Sequence, residues 1–327
     1  MTTGSDLVPR TRTSFADVWL PREVSRLAKR FAWATLVVQI LLVGTGGLVR
    51  LTDSGLGCPT WPRCTADSLV TTPAMGIHGI IEFGNRMLTF VLILIAILTF
   101  LSVVRTRWTG RGLFSIALAI GLGIPAQGVI GGISVLTQLN PYVVGLHFVV
   151  SAVLVVLSAL LVWRTYFDRA DRGPLLPRWY EGLAVAAAVL TAFAVVLGIL
   201  TTGSGPHAGD ANAPRNGLDS EILQHFHSYP AYALFAVTIL LIVFARRLRA
   251  GGVLRYSVLL LAVETAQIVV GVTQARLGLP QFLVGLHMIL AVTLIAAMTA
   301  VVLGLRQRVV SAASVVAPAA SATWSDR

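Results

Sequence analysis

Eight runs of about 20 mostly apolar residues dominate this chain, each long enough to cross the hydrocarbon core of a bilayer. They lie near 32–51, 77–104, 113–136, 141–163, 180–201, 221–245, 254–275 and 281–305. Inside lipid every backbone polar group must be satisfied within its own segment, so runs of this length predict helices. Composition closes off the alternatives. Only 12% of the 327 residues are charged, against about 25% in a soluble domain, and 56% are hydrophobic. That leaves too few polar side chains to coat a water-soluble globule. A soluble enzyme, a nucleic-acid binder and a disordered chain are all excluded. The predicted class is an all-α integral membrane protein with eight transmembrane helices.

The net charge of +11 is a statement about topology. Of the 25 basic residues 24 are Arg, and they cluster between the apolar runs. One side carries Arg10, Arg12, Arg22, Arg26, Lys29 and Arg30, then Arg105, Arg107 and Arg111. It continues with Arg164, Arg169, Arg172 and Arg178, then Arg246, Arg247, Arg249 and Arg255, and ends with Arg306, Arg308 and Arg327. The spans and the other side share only Arg50, Arg63, Arg86, Arg215 and Arg276. Cytoplasmic loops carry the basic excess. The expectation is therefore a multi-pass cell-membrane protein with both termini cytoplasmic. Residues 1–30 are too polar and too long for the n-region of a signal peptide, so none is expected. Leu7-Val8-Pro9-Arg10 resembles part of a protease-cleavage linker.

The two longest loops, 52–76 and 202–220, then face outward. The first holds both cysteines, Cys58 and Cys64. A disulfide persists outside the cytoplasm, and both a loop staple and a redox role stay open. A zinc site is disfavoured because further Cys or His partners are lacking nearby.

The chain repeats internally. Val144-Gly145-Leu146-His147 matches Val284-Gly285-Leu286-His287, each six or seven residues after the proline opening its span (Pro141, Pro280). Ala126-Gln127 with Gly131 matches Ala266-Gln267 with Gly271, and Thr52-Asp53-Ser54-Gly55 matches Thr202-Gly203-Ser204-Gly205. Each half has four spans, an even number, so the repeat is parallel, about an axis along the membrane normal. The expected organisation is two pseudo-twofold-related four-helix bundles, 31–163 and 180–305. A cytoplasmic tail (1–30), a cytoplasmic linker (164–179) and a second tail (306–327) complete it. In the same register Glu82-Phe83-Gly84-Asn85 meets Gln224-His225-Phe226-His227, which sets Asn85 against His227.

Histidine is expensive in a bilayer and usually functional there. His147 and His287 lie roughly 10 Å below the outer surface at 1.5 Å per residue, and His227 lies at a similar depth. Two imidazoles facing each other across a bundle can hold a haem from both sides. His227 and His287 are the candidate pair. His225 is two residues from His227, so only one of them faces the interior. In span two, His78, Glu82 and Asn85 form one helical stripe. Glu82 is a candidate general acid or base, with a structural pairing to Arg86 or Arg50 as the other reading. Asn85 is no conventional haem ligand, so the first half offers His147, with His78 as a second candidate, and an open iron position suited to a substrate. Glu264 is expected to find a polar partner inside its bundle, and His207 a turn in the outer loop. Arg50, Arg86 and Arg276 are candidates to pair with haem propionates.

These motifs resemble the haem A synthases of bacteria and mitochondria, and within them the actinobacterial branch. The resemblance rests on Val49-Arg50-Leu51-Thr52-Asp53-Ser54-Gly55-Leu56-Gly57-Cys58-Pro59, Trp61-Pro62, Cys64 and Glu82-Phe83-Gly84-Asn85-Arg86. Gly203-Ser204-Gly205-Pro206-His207 and the two Gly-Leu-His elements add to it, over about 30–305. It implies eight helices in two bundles, and oxidation of a ring methyl of haem o to a formyl by successive hydroxylations, giving haem A for terminal oxidases. It implies haem b as cofactor on His227 and His287. The substrate haem site falls on His147, Asn85, His78 and Arg86, with Glu82 catalytic and Cys58 and Cys64 as the family's cysteine pair. Haem o, the bilayer, a haem o synthase and further copies of the chain are the implied partners. One departure stands out: the family's Glu-x-x-His-Arg is Glu82-x-x-Asn85-Arg86 here. Either His78 substitutes, or the substrate iron takes one protein ligand.

Two other classes compete. A cytochrome b-type carrier between quinone and a partner would want paired histidines in both halves, which Asn85 denies. A transporter using the histidines as a proton relay would be colourless.

Overall fold

The computed structural model describes residues 23–108, 111–168 and 176–306. The Leu7–Arg10 segment, most of the 1–30 tail, part of the 164–179 linker and nearly all of the 306–327 tail lie outside them. The described residues form eight long helices: α1 (Arg26–Leu51), α2 (Gly76–Val103), α3 (Leu113–Leu136), α4 (Pro141–Tyr166), α5 (Arg178–Ser204), α6 (Ser220–Arg247), α7 (Gly251–Arg276) and α8 (Gln281–Gly304). All eight are long and apolar enough to span a membrane. Several outrun their apolar segments. Helical hydrogen bonding does not stop where hydropathy does, so α1 begins at Arg26, where Ser25 Oγ accepts from the Ala28 N–H at 3.1 Å. Asp219 caps α6 likewise, accepting from the N–H groups of Glu221 and Ile222 at 2.8 and 3.1 Å. Asn140 accepts from the Tyr142 N–H at 3.0 Å, with Pro141 at the first helical position, where its missing N–H costs nothing.

The two tight turns, between α3 and α4 and between α7 and α8, share a backbone conformation. Gln138 and Leu139 have φ of 53° and 59°, and Gly278 and Leu279 have 73° and 61°. In each, the leucine N–H closes the end of the preceding helix, on Ser134 O at 2.7 Å and Gln274 O at 2.8 Å.

Packing divides the helices into two closed rings. In the first, α1 touches α2 and α4, and α3 touches α2 and α4; in the second, α5 touches α6 and α8, and α7 touches α6 and α8. The rings meet through α1 with α8, α4 with α8 and α4 with α5. Glycines permit the close approach: a Cβ on Gly44 would lie 2.9 Å from Ile289, and one on Gly145 2.8 Å from Ile199. With no water between helices to drive association, small residues at the contact let dispersion do so. The outward faces carry exposed Leu41, Phe90, Leu122 and Phe193, as a lipid-facing surface requires.

Candidate functional site

His147, His227 and His287 each lie six or seven residues from the start of their helix, at the end of the rings that carries the 205–219 loop. On the second ring, α6 carries His227 and α8 carries His287, and their rings meet with centroids 6.1 Å apart and planes at 80°. Each ring rests on a glycine of a neighbouring helix, His227 on Gly198 and His287 on Gly271, where a Cβ would lie 2.9 and 3.0 Å away. His227 Nδ1 lies 2.8 Å from the Ala194 carbonyl. A carbonyl only accepts, so Nδ1 carries the proton and Nε2 keeps its lone pair for a ligand bond. Gln267 Nε2 donates to the His287 carbonyl at 3.1 Å and lies 3.3 Å from His287 Nε2. His287 Nδ1 is buried and has no protein partner. His225, two residues away, is exposed.

This donor set fits a metal between the rings. A first-row metal sits about 2 Å from a histidine nitrogen, which sets two opposed rings about 6 Å apart. The observed 6.1 Å is close to that, and the proton on His227 Nδ1 is where a metal-ligating histidine needs it, while His287 Nε2 lies against Gln267 Nε2 at 3.3 Å.

The first ring repeats only part of this arrangement. His147 of α4 packs on Gly131, and Gln127 Nε2 donates to the His147 carbonyl at 2.6 Å and to Ser151 Oγ at 2.5 Å. His147 Nδ1 is buried without a protein partner. Among the described residues no second imidazole faces it ring to ring. Asn85 is held instead by Thr45 Oγ1 of α1 at 2.8 Å. His78 stands exposed in the first turn of α2, its Nδ1 3.0 Å from Ser54 Oγ.

Glu82 is buried and both its oxygens are engaged. Oε1 accepts from Arg86 Nη2 at 2.5 Å, and Oε2 accepts from the Cys58 N–H at 2.5 Å. Arg86 also donates to the carbonyls of Cys58 and Thr60 at 3.2 and 3.1 Å. Cys58 and Cys64 form a disulfide. The ion pair of α2 therefore grips the backbone of the disulfide loop and holds it over the first ring. That loop also lays Trp61 on α3 at Gly132, where a Cβ would sit 2.3 Å from the indole.

Arg50 is taken up by protein as well. Its Nε donates to the His207 carbonyl at 2.6 Å and an Nη to the Thr202 carbonyl at 2.9 Å. The Gly55 N–H donates to the Gly209 carbonyl at 2.7 Å. The 205–219 loop of the second half is thus latched across the first. Thr45, Ala194 and Gly198 escape sequence reasoning: a carbonyl acceptor has no side-chain signature, and a glycine or threonine in a span looks like ordinary helix packing.

A family model described as cytochrome oxidase assembly protein (COX15-CtaA) matches residues 29–299. The chain belongs to this family. Members similar to it include a protein named Heme A synthase from Halalkalibacterium halodurans, 28% identical over 188 residues, 55% of this chain and 59% of that one. The protein of that name from Lysinibacillus sphaericus is 35% identical over 157 residues, 45% of this chain and 47% of that one. The one from Methylobacterium sp. is 28% identical over 302 residues, 76% of this chain and 83% of that one. This cytochrome oxidase assembly family member spans about half the length of the first two relatives in its matched stretches. The span of the family match takes in all eight helices except the first three residues of α1 and the end of α8, and every residue of the site above.

Proposed function

We propose that the chain is a haem A synthase: a membrane oxidoreductase that takes haem o and oxidises one ring methyl to a formyl by successive hydroxylations. The observation that carries this reading is the asymmetry between the rings. Two histidines meet in the second, while the first has one histidine and an asparagine at the matching place. In this reading haem b is held by His227 and His287, where it supplies one-electron transfer. The substrate haem o binds in the first ring, its iron on His147, beside Asn85 and His78. The disulfide loop shields that ring from water, because Arg86 and Glu82 hold it by the Cys58 backbone. Glu82 is the buried carboxylate beneath the loop that accepts a proton from reacting substrate, with Arg86 orienting it. A cytochrome b-type carrier would use the second ring alike, but it leaves the first ring without a use.

The same reading places both termini in the cytoplasm and the disulfide loop outside, with the halves related as parallel repeats. A haem o synthase delivering substrate, and further copies of the chain, are the partners it calls for. Deleting the protein from a host that makes haem o should leave haem o accumulating without haem A, as seen in extracted pigments. Unchanged haem A overturns the proposal. Glu82→Gln should retain the low-spin haem spectrum and lose haem A formation; full activity in this variant would reduce Glu82 to a loop anchor.

A further inference from the structure

The second ring contains a buried carboxyl that the reaction above does not use. Glu264 of α7 is 2% exposed; its Oε1 accepts from Thr238 Oγ1 of α6 at 2.8 Å, and its Oε2 has no protein partner. The repeat shows that this is an addition to the second half. The register of Gln127 on Gln267 sets Ile124 against Glu264, and that of Asn85 on His227 sets Ala96 against Thr238. Ile124 and Ala96 are buried and line an apolar cleft between α2 and α3. Donor and acceptor are both present in the ring with the histidine pair and both absent from the other.

Glu264 belongs to a polar file. Ser257, Glu264, Gln267 and Gln274 stand at i, i+7, i+10 and i+17 on α7, within a stripe about 100° wide and over roughly 25 Å. Gln267 Oε1 and Gln274 Oε1 are buried without protein partners. At the inner end Ser257 is fully buried beside the Tyr180 hydroxyl, which donates to the Leu241 carbonyl at 3.0 Å. Buried polar atoms that protein leaves unpaired are the places where ordered water binds. Gln267, one turn outward of Glu264, is the residue that touches His287.

We propose that Glu264 is the redox-linked proton acceptor of the second ring, fed along the α7 polar file from the Ser257 end. This rests on the reading that a haem lies between His227 and His287. Ionising Glu264 in this setting depends on the positive charge within the ring, because a low-dielectric interior screens charges weakly. Reduction brings one electron to the iron from a one-electron donor and one proton from bulk water to Glu264 Oε2. Oxidation by a one-electron acceptor returns both. The other titratable groups facing the file are His227 from α6, His287 from α8 and Tyr180 from α5. Arg255 and Tyr256 lie near the inner end of α7 and Arg276 ends it, and the remaining titratable side chains of α6 are exposed.

The test is a spectroelectrochemical titration of the purified, haem-loaded full chain at a series of pH values. Wild-type potential should fall with rising pH, approaching a tenfold change in equilibrium constant per unit, about 59 mV for one electron. Propionates titrate in every variant, so the difference between proteins is what counts. Glu264→Gln should flatten the curve, and Thr238→Val should move its bend while keeping the slope. Equal slopes in wild type and Glu264→Gln, with the low-spin haem present, overturn the inference alone. A wild-type protein without low-spin haem overturns the underlying reading and the inference together. Should Glu264→Gln fail to fold, reduced-minus-oxidised infrared spectra of the wild type should contain a protonated-carboxyl band that Thr238→Val shifts; a wild-type spectrum without that band overturns the inference.

Discussion

His227 and His225 differ in identity by nothing and in position by two residues, yet they occupy different worlds. One rests on Gly198 with its Nδ1 proton committed to Ala194, 6.1 Å from His287; the other is exposed. Helical periodicity already requires that only one face inward, and the structure shows which. His227→Ala and His287→Ala should each abolish the low-spin haem signal in an absorption or electron paramagnetic resonance spectrum, while His225→Ala should leave it within about twofold of wild type. Equal loss in all three would mean that the signal arises elsewhere. At Glu82 the sequence left two readings open, a catalytic group and a structural pair with an arginine. The Arg86 contact makes the pairing a fact, and the Cys58 N–H adds a partner that no motif announces.

Among elements, the disulfide loop owes its position to backbone proximity more than to side chains. Gly57 lies so close to α2 that a Cβ there would come within 2.3 Å of the His78 carbonyl oxygen and 2.9 Å of the Gly79 nitrogen. Helix backbone cannot yield as a side chain would. Gly57→Ala should therefore lift the loop, break the Cys58–Glu82 hydrogen bond and destabilise by about 1–3 kcal/mol. Faster reduction and alkylation of Cys58 and Cys64 than in wild type would report it; an unchanged rate would mean that the loop tolerates the displacement. Hydropathy located all eight helices to within a few residues, because a bilayer reads the same average that a sequence window does. It missed the start of α1 by six residues, where the helix begins after the capping Ser25 in polar sequence.

For the whole molecule, the two rings are joined by more than helix contacts. Arg50 ends α1 in the first half yet holds two carbonyls of the second, those of Thr202 and His207, and His207 Nε2 lies 3.0 Å from the Leu279 carbonyl. Hydrogen bonds from a charged donor contribute about 1.5–3 kcal/mol. Arg50→Leu, which leaves both carbonyls unpaired, should cost on that order and expose 205–219 to proteolysis while the helices stay intact. Thermal unfolding and limited digestion would measure it; unchanged stability would assign the latch to the Gly55–Gly209 bond instead.

Membrane class, eight spans, an internal repeat and the short roster of histidines and carboxylates were legible in the chain alone. They depend on local averages and on residue identities at matched spacing, which folding does not alter. Four things were settled only by tertiary structure: that His227 and not His225 meets His287, that Glu82 grips the loop through a backbone amide, that Arg50 is spent on carbonyls of the other half, and that Thr238 answers Glu264. Each depends on a distance between residues far apart in sequence, and three of the four involve backbone groups or ring orientations that no residue letter encodes.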